Sequence, residues 1–347
     1  MANVTIKKLA QELNLSVGTV SKALKDSHEI SVETKRKVHD LVNKLNYVPN
    51  PYASSLRKRK SRTIAVVLPE VADSFFSLAI NGIEAVAQEK GYHVLIYLTH
   101  ESFSKEENIL KDFKSGRVDG ILISVSRETT ESNHIRDVQT FGIPIVFFDR
   151  VCEEVETANV TTNDFESGYV AAKHLVERGC RQITYLSISS TLSIANKRME
   201  GYYKVLSDHG MKMKENGVLF CTNNEADNYR SIKNLMNNND HPDGLIASVE
   251  KLTITVYHVC KDLDLRIPED VKVISFSNLA SALILNPSLT TITQPAFEMG
   301  EAAASLLFKA LEKRNYVLKD KNVVVPSVLN VRDSTNLTGT HIQEPEW

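Results

Sequence analysis

From Thr63 onward the chain alternates short apolar runs with amphipathic stretches, and few patterns restrict a fold more tightly. TIAVVL (63–68), HVLIYL (93–98), ILIS (121–124), IPIVFF (143–148), ITYLSI (183–188), GLIAS (244–248) and VKVISF (271–276) are near-continuous apolar runs, as expected of strands covered on both faces. Between most of them lie helical patterns. Phe76, Ala79, Ile80, Ile83 and Ala87 share one helical face, and Ser104-x-x-Glu107 reads as a capping box opening the next helix. Strand–helix alternation on this scale predicts parallel sheets with helices on both faces. So many units overfill one sheet of ordinary size, which predicts two lobes of roughly 140 residues each. VVVPSVLNV (323–331) reads as the last strand, and no heptad repeat follows it.

The first sixty residues are different. The whole chain, 347 residues with 41 Lys/Arg and 43 Asp/Glu, has a formal net charge of −2. Residues 1–62 hold thirteen bases and five acids, a charge of +8, and the remainder holds 28 bases and 38 acids, a charge of −10. A basic unit joined to an acidic body suggests that one end meets a polyanion.

Periodicity gives the basic end a shape. Ile6, Leu9, Ala10 and Leu13 form one helical face behind a Thr5 cap. Ser16 caps a second short helix running to Leu24, with Val20, Ala23 and Leu24 turned inward. A third helix starts near Ser31 and aligns Val38, Leu41, Val42 and Leu45. Two short helices across a tight turn, buttressed by a third, match the helix-turn-helix plan, whose second helix enters the major groove. Tyr47-Val48-Pro49-Asn50-Pro51 stops the third helix, because proline removes a donor and biases its neighbour away from helix. The basic run that follows, Tyr52–Lys60, is too short to be a stable helix alone. It is expected to order when its charge is neutralised, while also serving as an interdomain linker.

Other classes are excluded from the residues. No apolar run approaches the ~18 residues of a membrane span, and the N-terminus lacks the apolar core of a signal peptide. Cys152, Cys180, Cys221 and Cys260 are scattered without metal-like spacing, which fits reduced thiols in a cytoplasm. No phosphate-binding, dinucleotide, zinc-protease or nucleophile-elbow motif occurs, so no catalytic residue, metal or cofactor is expected.

The run TIKKLAQELNLSVGTVSKALKDSHEISVETKRKVHDLVNKLNYVPNPYASSLRKRKSRTIAVVLP resembles the N-terminal signature of the lactose/galactose-repressor family of bacterial transcription regulators. Further resemblance lies in DSFFSLAINGIEAVAQEKGY (73–92), VDGILI (118–123), GIPIVFFDR (142–150), KRMEGYYKVL (197–206), IPEDVKVISF (267–276) and LTTITQPAFEMGEAA (289–303), so it spans nearly the whole chain. It implies a helix-turn-helix domain (1–48), a hinge (49–62) and a two-lobed α/β domain (63–340) similar to periplasmic binding proteins. Lobe 1 is expected over about 63–160 and 293–321, and lobe 2 over about 161–292 and 322–340. It further implies a homodimer on pseudo-palindromic double-stranded operator DNA, most simply as a repressor, with no membrane partner. A small-molecule effector, a sugar or sugar derivative, would bind between the lobes. A purine- or nucleoside-responsive regulator, or one with little effector response, is the alternative.

By the same resemblance, Ser16, Val17, Gly18, Thr19 and Lys22 lie on the recognition helix, Thr5, Thr19, Ser31 and Asn50 position the backbone or cap helices, and Ala53 is a further DNA-binding residue. Val17 and Gly18 are small and apolar, suited to van der Waals contact with a thymine methyl. Lys22 replaces a frequent arginine and reaches either a guanine edge or a phosphate. Leu56 is the expected minor-groove wedge, and Ser54 stands where many members have arginine.

Ligands in open α/β lobes bind beyond the carboxyl ends of strands. Phe75, Phe76, Asp149, Arg198, Val249, Ser277 and Gln294 are therefore the expected effector residues, with core packing the competing role for the two phenylalanines. Two departures stand out. Val249-Glu250 occupies the place of a frequent Asn-Asp, and Ser277-Asn278 the place of a usual aspartate. Both remove hydroxyl-gripping groups, so an unmodified monosaccharide is not the expected ligand.

Leu56→Ala should lower specific operator affinity far more than non-specific DNA binding, measured by anisotropy on both DNAs. Equal losses would count against the wedge.

Overall fold

In the computed structural model, residues 5–47, 61–212, 217–313, 316–319 and 321–336 are described. The chain divides into two compact units, Met1–Ser61 and Arg62–Trp347.

The first unit contains α1 (Ile6–Glu12), α2 (Val17–Leu24) and α3 (Val32–Lys44). Each begins on the side chain expected from the sequence. Thr5, Ser16 and Ser31 accept hydrogen bonds from the backbone N–H groups of Lys8, Thr19 and Thr34 at 3.4, 3.0 and 3.3 Å, satisfying donors that a helix start leaves open. Asn14 adopts φ 51° between α1 and α2, a left-handed conformation its short polar side chain tolerates. Leu9, Ala10, Val20, Ala23 and Val38 form the buried core.

In the second unit two six-stranded sheets each carry helices on both faces. The first lobe holds β1 (Thr63–Leu68), α4 (Ser74–Glu89), β2 (His93–Leu98), α5 (Phe103–Phe113), β3 (Gly120–Ile123), α6 (Asn133–Thr140), β4 (Ile145–Phe148), β5 (Asn159–Thr161), α11 (Ala296–Glu312) and β11 (Asn322–Val324). Its strand order is β11-β5-β4-β3-β1-β2, parallel throughout. The second lobe holds α7 (Asp164–Glu177), β6 (Ile183–Ser187), α8 (Ser193–Asp208), β7 (Val218–Phe220), α9 (Glu225–Met236), β8 (Gly244–Ala247), α10 (Glu250–Asp262), β9 (Lys272–Phe276), β10 (Thr290–Thr293) and β12 (Val328–Asn330). Its order is β12-β10-β9-β8-β6-β7, parallel except for β12, which runs antiparallel to β10.

The chain passes between lobes three times, after β5, after β10 and after β11. The third passage corrects two expectations. VVVPSVLNV is two strands, because Pro326 lacks the N–H that would continue a ladder. Residues 322–324 pair with β5 in the first sheet, so only the part from β12 onward joins lobe 2. The expected Ser104 capping box is also absent. The helix starts two residues earlier than that box requires, at Phe103 after Ser102, and the Phe103 N–H donates to the Glu128 carboxylate at 3.1 Å.

Each lobe fixes one helix pair with facing glycines. A Cβ on Gly82 would lie 2.1 Å from the Phe297 carbonyl oxygen, and one on Gly300 2.1 Å from that of Ala79, so α4 and α11 touch backbone to backbone. In lobe 2 the same holds for Gly168 against the Arg198 carbonyl (2.0 Å) and Gly201 against that of Phe165 (2.1 Å), joining α7 and α8. These contacts set the spacing of α4 from α11 and of α8 from α7, and both α4 and α8 carry cleft residues.

Gly201→Ala should therefore force α7 and α8 apart and cost at least about 1–3 kcal/mol, as overpacking does. Urea unfolding would show it as a lower midpoint with an unchanged slope.

Candidate functional site

In the helical unit, Ser16 and Lys22 of the second helix region are exposed, and Thr19 is half-buried with its hydroxyl 2.9 Å from that of Ser16. Val17 and Gly18 are also half-buried, and Val17 packs on the domain core. Its outward surface is therefore smaller than a free valine's. Lys22 forms an ion pair with Glu29 in the loop before the third helix, so its ammonium is held beside a carboxylate until a stronger anion competes. Asn50, Ala53 and Leu56 lie outside the described residues.

The second site is the cleft between lobes, a small cavity of about 40 Å³ at the carboxyl ends of strands from both sheets. Such a space holds only a few waters, so admitting an organic ligand requires the lobes to part. Its deepest cation is Arg198 on α8. Nε donates to Asp164 Oδ1 at 2.7 Å, Nη1 donates to the Ser248 carbonyl at 3.3 Å, and the guanidinium carbon lies 4.2 Å from the Phe276 ring centroid. Nη2 is buried without a hydrogen-bond partner.

Arg150 repeats the arrangement in lobe 1. Its Nη1 donates to both oxygens of Glu101, at 2.9 and 2.8 Å, while its guanidinium lies 5.8 Å from the Phe76 ring. Burial opposes the charge on Glu101, but Arg150 and the Arg127 N–H outweigh it and hold this carboxyl below its ordinary range. Asp149 is buried at φ 60°, a strained conformation that recurs at functional sites. It accepts from Ser124 Oγ at 3.3 Å. Burial pushes its carboxyl up to about 6, against the pull of Arg150 and Arg198.

At the mouth, Asp73 and Glu250 converge from opposite lobes on the start of α4. Asp73 caps the helix by accepting from the Phe75 N–H at 2.9 Å, and Glu250 Oε1 accepts from the Ser74 N–H at 2.7 Å across the cleft. Ser277 Oγ donates to Glu250 Oε2 at 3.4 Å. Burial, then the charge of Glu250, pushes Asp73 up to about 7.

All seven effector residues expected from the sequence line this one cavity. Phe75 and Phe76 do so while belonging to the lobe 1 core, edge-to-face at 5.4 Å. Gln294 sits on a crossover, its carbonyl accepting from Asn278 Nδ2 at 2.6 Å. Sequence reasoning missed Asp73, Asp164 and Glu101. Asp73 had a readable signal, an Asp just before a helical pattern; Asp164 and Glu101 become partners of the arginines only through the fold.

Comparison with known proteins decides the family. The model of the periplasmic binding proteins and sugar binding domain of the LacI family matches residues 61–327. That of the bacterial regulatory proteins of the lacI family matches residues 5–50. The chain belongs to the LacI family. Among its relatives, the PurR transcriptional repressor of Mannheimia succiniciproducens is 29% identical, covering 95% of this chain and 98% of that one. Catabolite control protein A of Priestia megaterium is 24% identical, covering 96% and 99%. The lac repressor dimer bound to operator and the anti-inducer ONPF shares the fold at a TM-score of 0.82 and 20% identity, covering 96% and 99%. A CelR–cellobiose complex shares it at 0.71 and 24%, covering 95% and 99%. Like the family, this chain joins a DNA-binding helix-turn-helix unit to an effector-binding α/β domain. Among the described residues no helix is long and apolar enough to cross a membrane.

The raised Asp73 carboxyl carries a pH signature. The folded form keeps a proton that the unfolded chain has lost, so stability falls as pH rises from about 4 to about 7. Asp73→Asn keeps the oxygen that caps α4 and removes this loss. Its melting temperature should exceed wild type by more at pH 8 than at pH 5, with about 2–4 °C per kcal/mol gained. A constant offset would refute the assignment.

Proposed function

We propose that this LacI-family regulator is a homodimeric cytoplasmic repressor whose affinity for a pseudo-palindromic operator is set by a carbohydrate or carbohydrate derivative in the interlobe cleft. The observation that carries this reading is a concentration of buried polar atoms without a hydrogen-bond partner on residues that line one cavity: Arg150 Nε, Arg198 Nη2, Ser248 Oγ and Gln294 Nε2. Three of the four are pure donors. A buried donor without an acceptor is costly, and a ligand rich in hydroxyl or carbonyl oxygens would satisfy them together.

A purine needs an open aromatic face on which to stack. The Phe276 face is covered by Arg198, and Phe76 packs edge-on against Phe148 within the core. The polyol reading is therefore favoured over the purine one. Expected DNA contacts are the exposed Ser16 and Lys22 with Thr19, assisted by Leu56 of the hinge.

Selection from a randomised duplex pool should enrich a pseudo-palindrome, bound with a steep inverse dependence on salt as phosphate neutralisation requires. Any cleft ligand that raises the melting temperature should then change operator affinity by about 5–150-fold. Ligands that bind without moving operator affinity would defeat the effector reading.

A further inference from the structure

The cleft is more acidic than a polyol needs. Of the described residues lining it, Asp73, Asp149 and Glu250 are carboxylates, against Arg150 and Arg198. Each arginine is already engaged from behind, by Glu101 and Asp164 respectively. The nearby rim cation Lys251 pairs with Glu70 at 3.2 Å. Negative charge therefore exceeds positive charge around the cavity, and the excess collects at the mouth. There Asp73 and Glu250 are brought from different lobes onto successive N–H groups of α4.

Other lining residues ask for acceptors. Arg198, 3% exposed, and Gln294, 7% exposed, each present a nitrogen without a partner. The lining thus holds two kinds of group, donors and carboxylates, and a neutral polyol matches only the first.

We infer that the cleft takes a cationic amino polyol, such as an amino sugar, with its hydroxyl oxygens on Arg198 and Gln294 and its ammonium between Asp73 and Glu250. This deepens the effector reading and rests on it. The ammonium relieves the repulsion between the two carboxylates, which Asp73 otherwise escapes by holding a proton up to about pH 7. It also bridges both lobes, so binding and lobe closure are coupled through one charged group. The same charge excess disfavours sugar phosphates.

The test compares chemical twins. Glucosamine, galactosamine and mannosamine are titrated calorimetrically into the full-length protein beside glucose, galactose, mannose, the N-acetyl derivatives and the 6-phosphates, near neutral pH, where Asp73 has begun to ionise. At least one amino sugar should bind about tenfold or more tightly than its hydroxyl parent and its N-acetyl derivative, as a charge-assisted contact implies. Glu250→Gln and Asp73→Asn each keep an oxygen for the α4 N–H groups, and each should bring the twins to within about twofold.

Twins that bind alike to wild type, a preference for phosphates, or no amino sugar binding at all would overturn the inference. So would a preference that survives both substitutions. A neutral or phosphorylated ligand that binds at least as tightly as every amino sugar and moves operator affinity would reject the ammonium while upholding the effector cleft. An amino sugar preferred by wild type that leaves operator affinity unchanged would uphold the ammonium and reject the cleft's role in regulation.

Discussion

A guanidinium sealed from water organises the effector domain. Arg198 has almost no contact with solvent, so its charge must be answered by protein. Asp164 at the start of α7, the Ser248 carbonyl after β8 and the Phe276 ring at the end of β9 answer it from three directions. Those contacts hold two helices and two strand ends in one arrangement, and the bare facing glycines of α7 and α8 allow the helix carrying Arg198 to come close enough. What Arg198 has left over is one nitrogen without a hydrogen-bond partner, on a residue that lines the cavity. Stability and recognition share a side chain.

Contacts between lobes lie on more than one side of the cleft. Toward α4, Glu250 reaches the Ser74 N–H and Lys251 reaches Glu70. Elsewhere, Arg127 donates to the Ile188 carbonyl at 3.0 Å, Thr191 returns a hydrogen bond to the Arg127 carbonyl at 3.3 Å, and Lys197 approaches Glu153 at 3.5 Å. The bonds to Glu250 and to the Ile188 carbonyl are part-buried, whereas the exposed Lys251–Glu70 and Lys197–Glu153 pairs contribute little individually.

Much of this was legible in the chain. Apolar runs marked the central strands because parallel strands buried on both faces leave no alternation to misread, and Thr5, Ser16 and Ser31 announced three helix starts by local chemistry. The failures were long-range. Ser104 lost its capping role to Glu128, which is brought near only by the sheet. Val17 is turned partly toward the core, a rotation that a short helix's periodicity does not resolve. VVVPSVLNV looked like one strand although Pro326 was a visible interruption, and no local rule says that its halves belong to different sheets. The effector residues were found because strand ends are readable. Asp73 and Glu250 became a pair only when two lobes, separated by over a hundred residues of chain, closed on the same helix turn.

The triple passage between lobes has a mechanical consequence. A single connecting strand would swivel freely about its own bonds. Here Asn163 on the first passage accepts from the Ser327 N–H on the third at 2.8 Å, and Asn278 clasps the backbone of Gln294 on the second. Segments laced to one another and to their lobes resist twisting and sliding, which leaves bending about their common line as the soft degree of freedom. The domain then works as a lever with one axis. Whatever is bound at the fulcrum is expressed as a change of angle at the far end of each lobe, with little of it dissipated as local loosening.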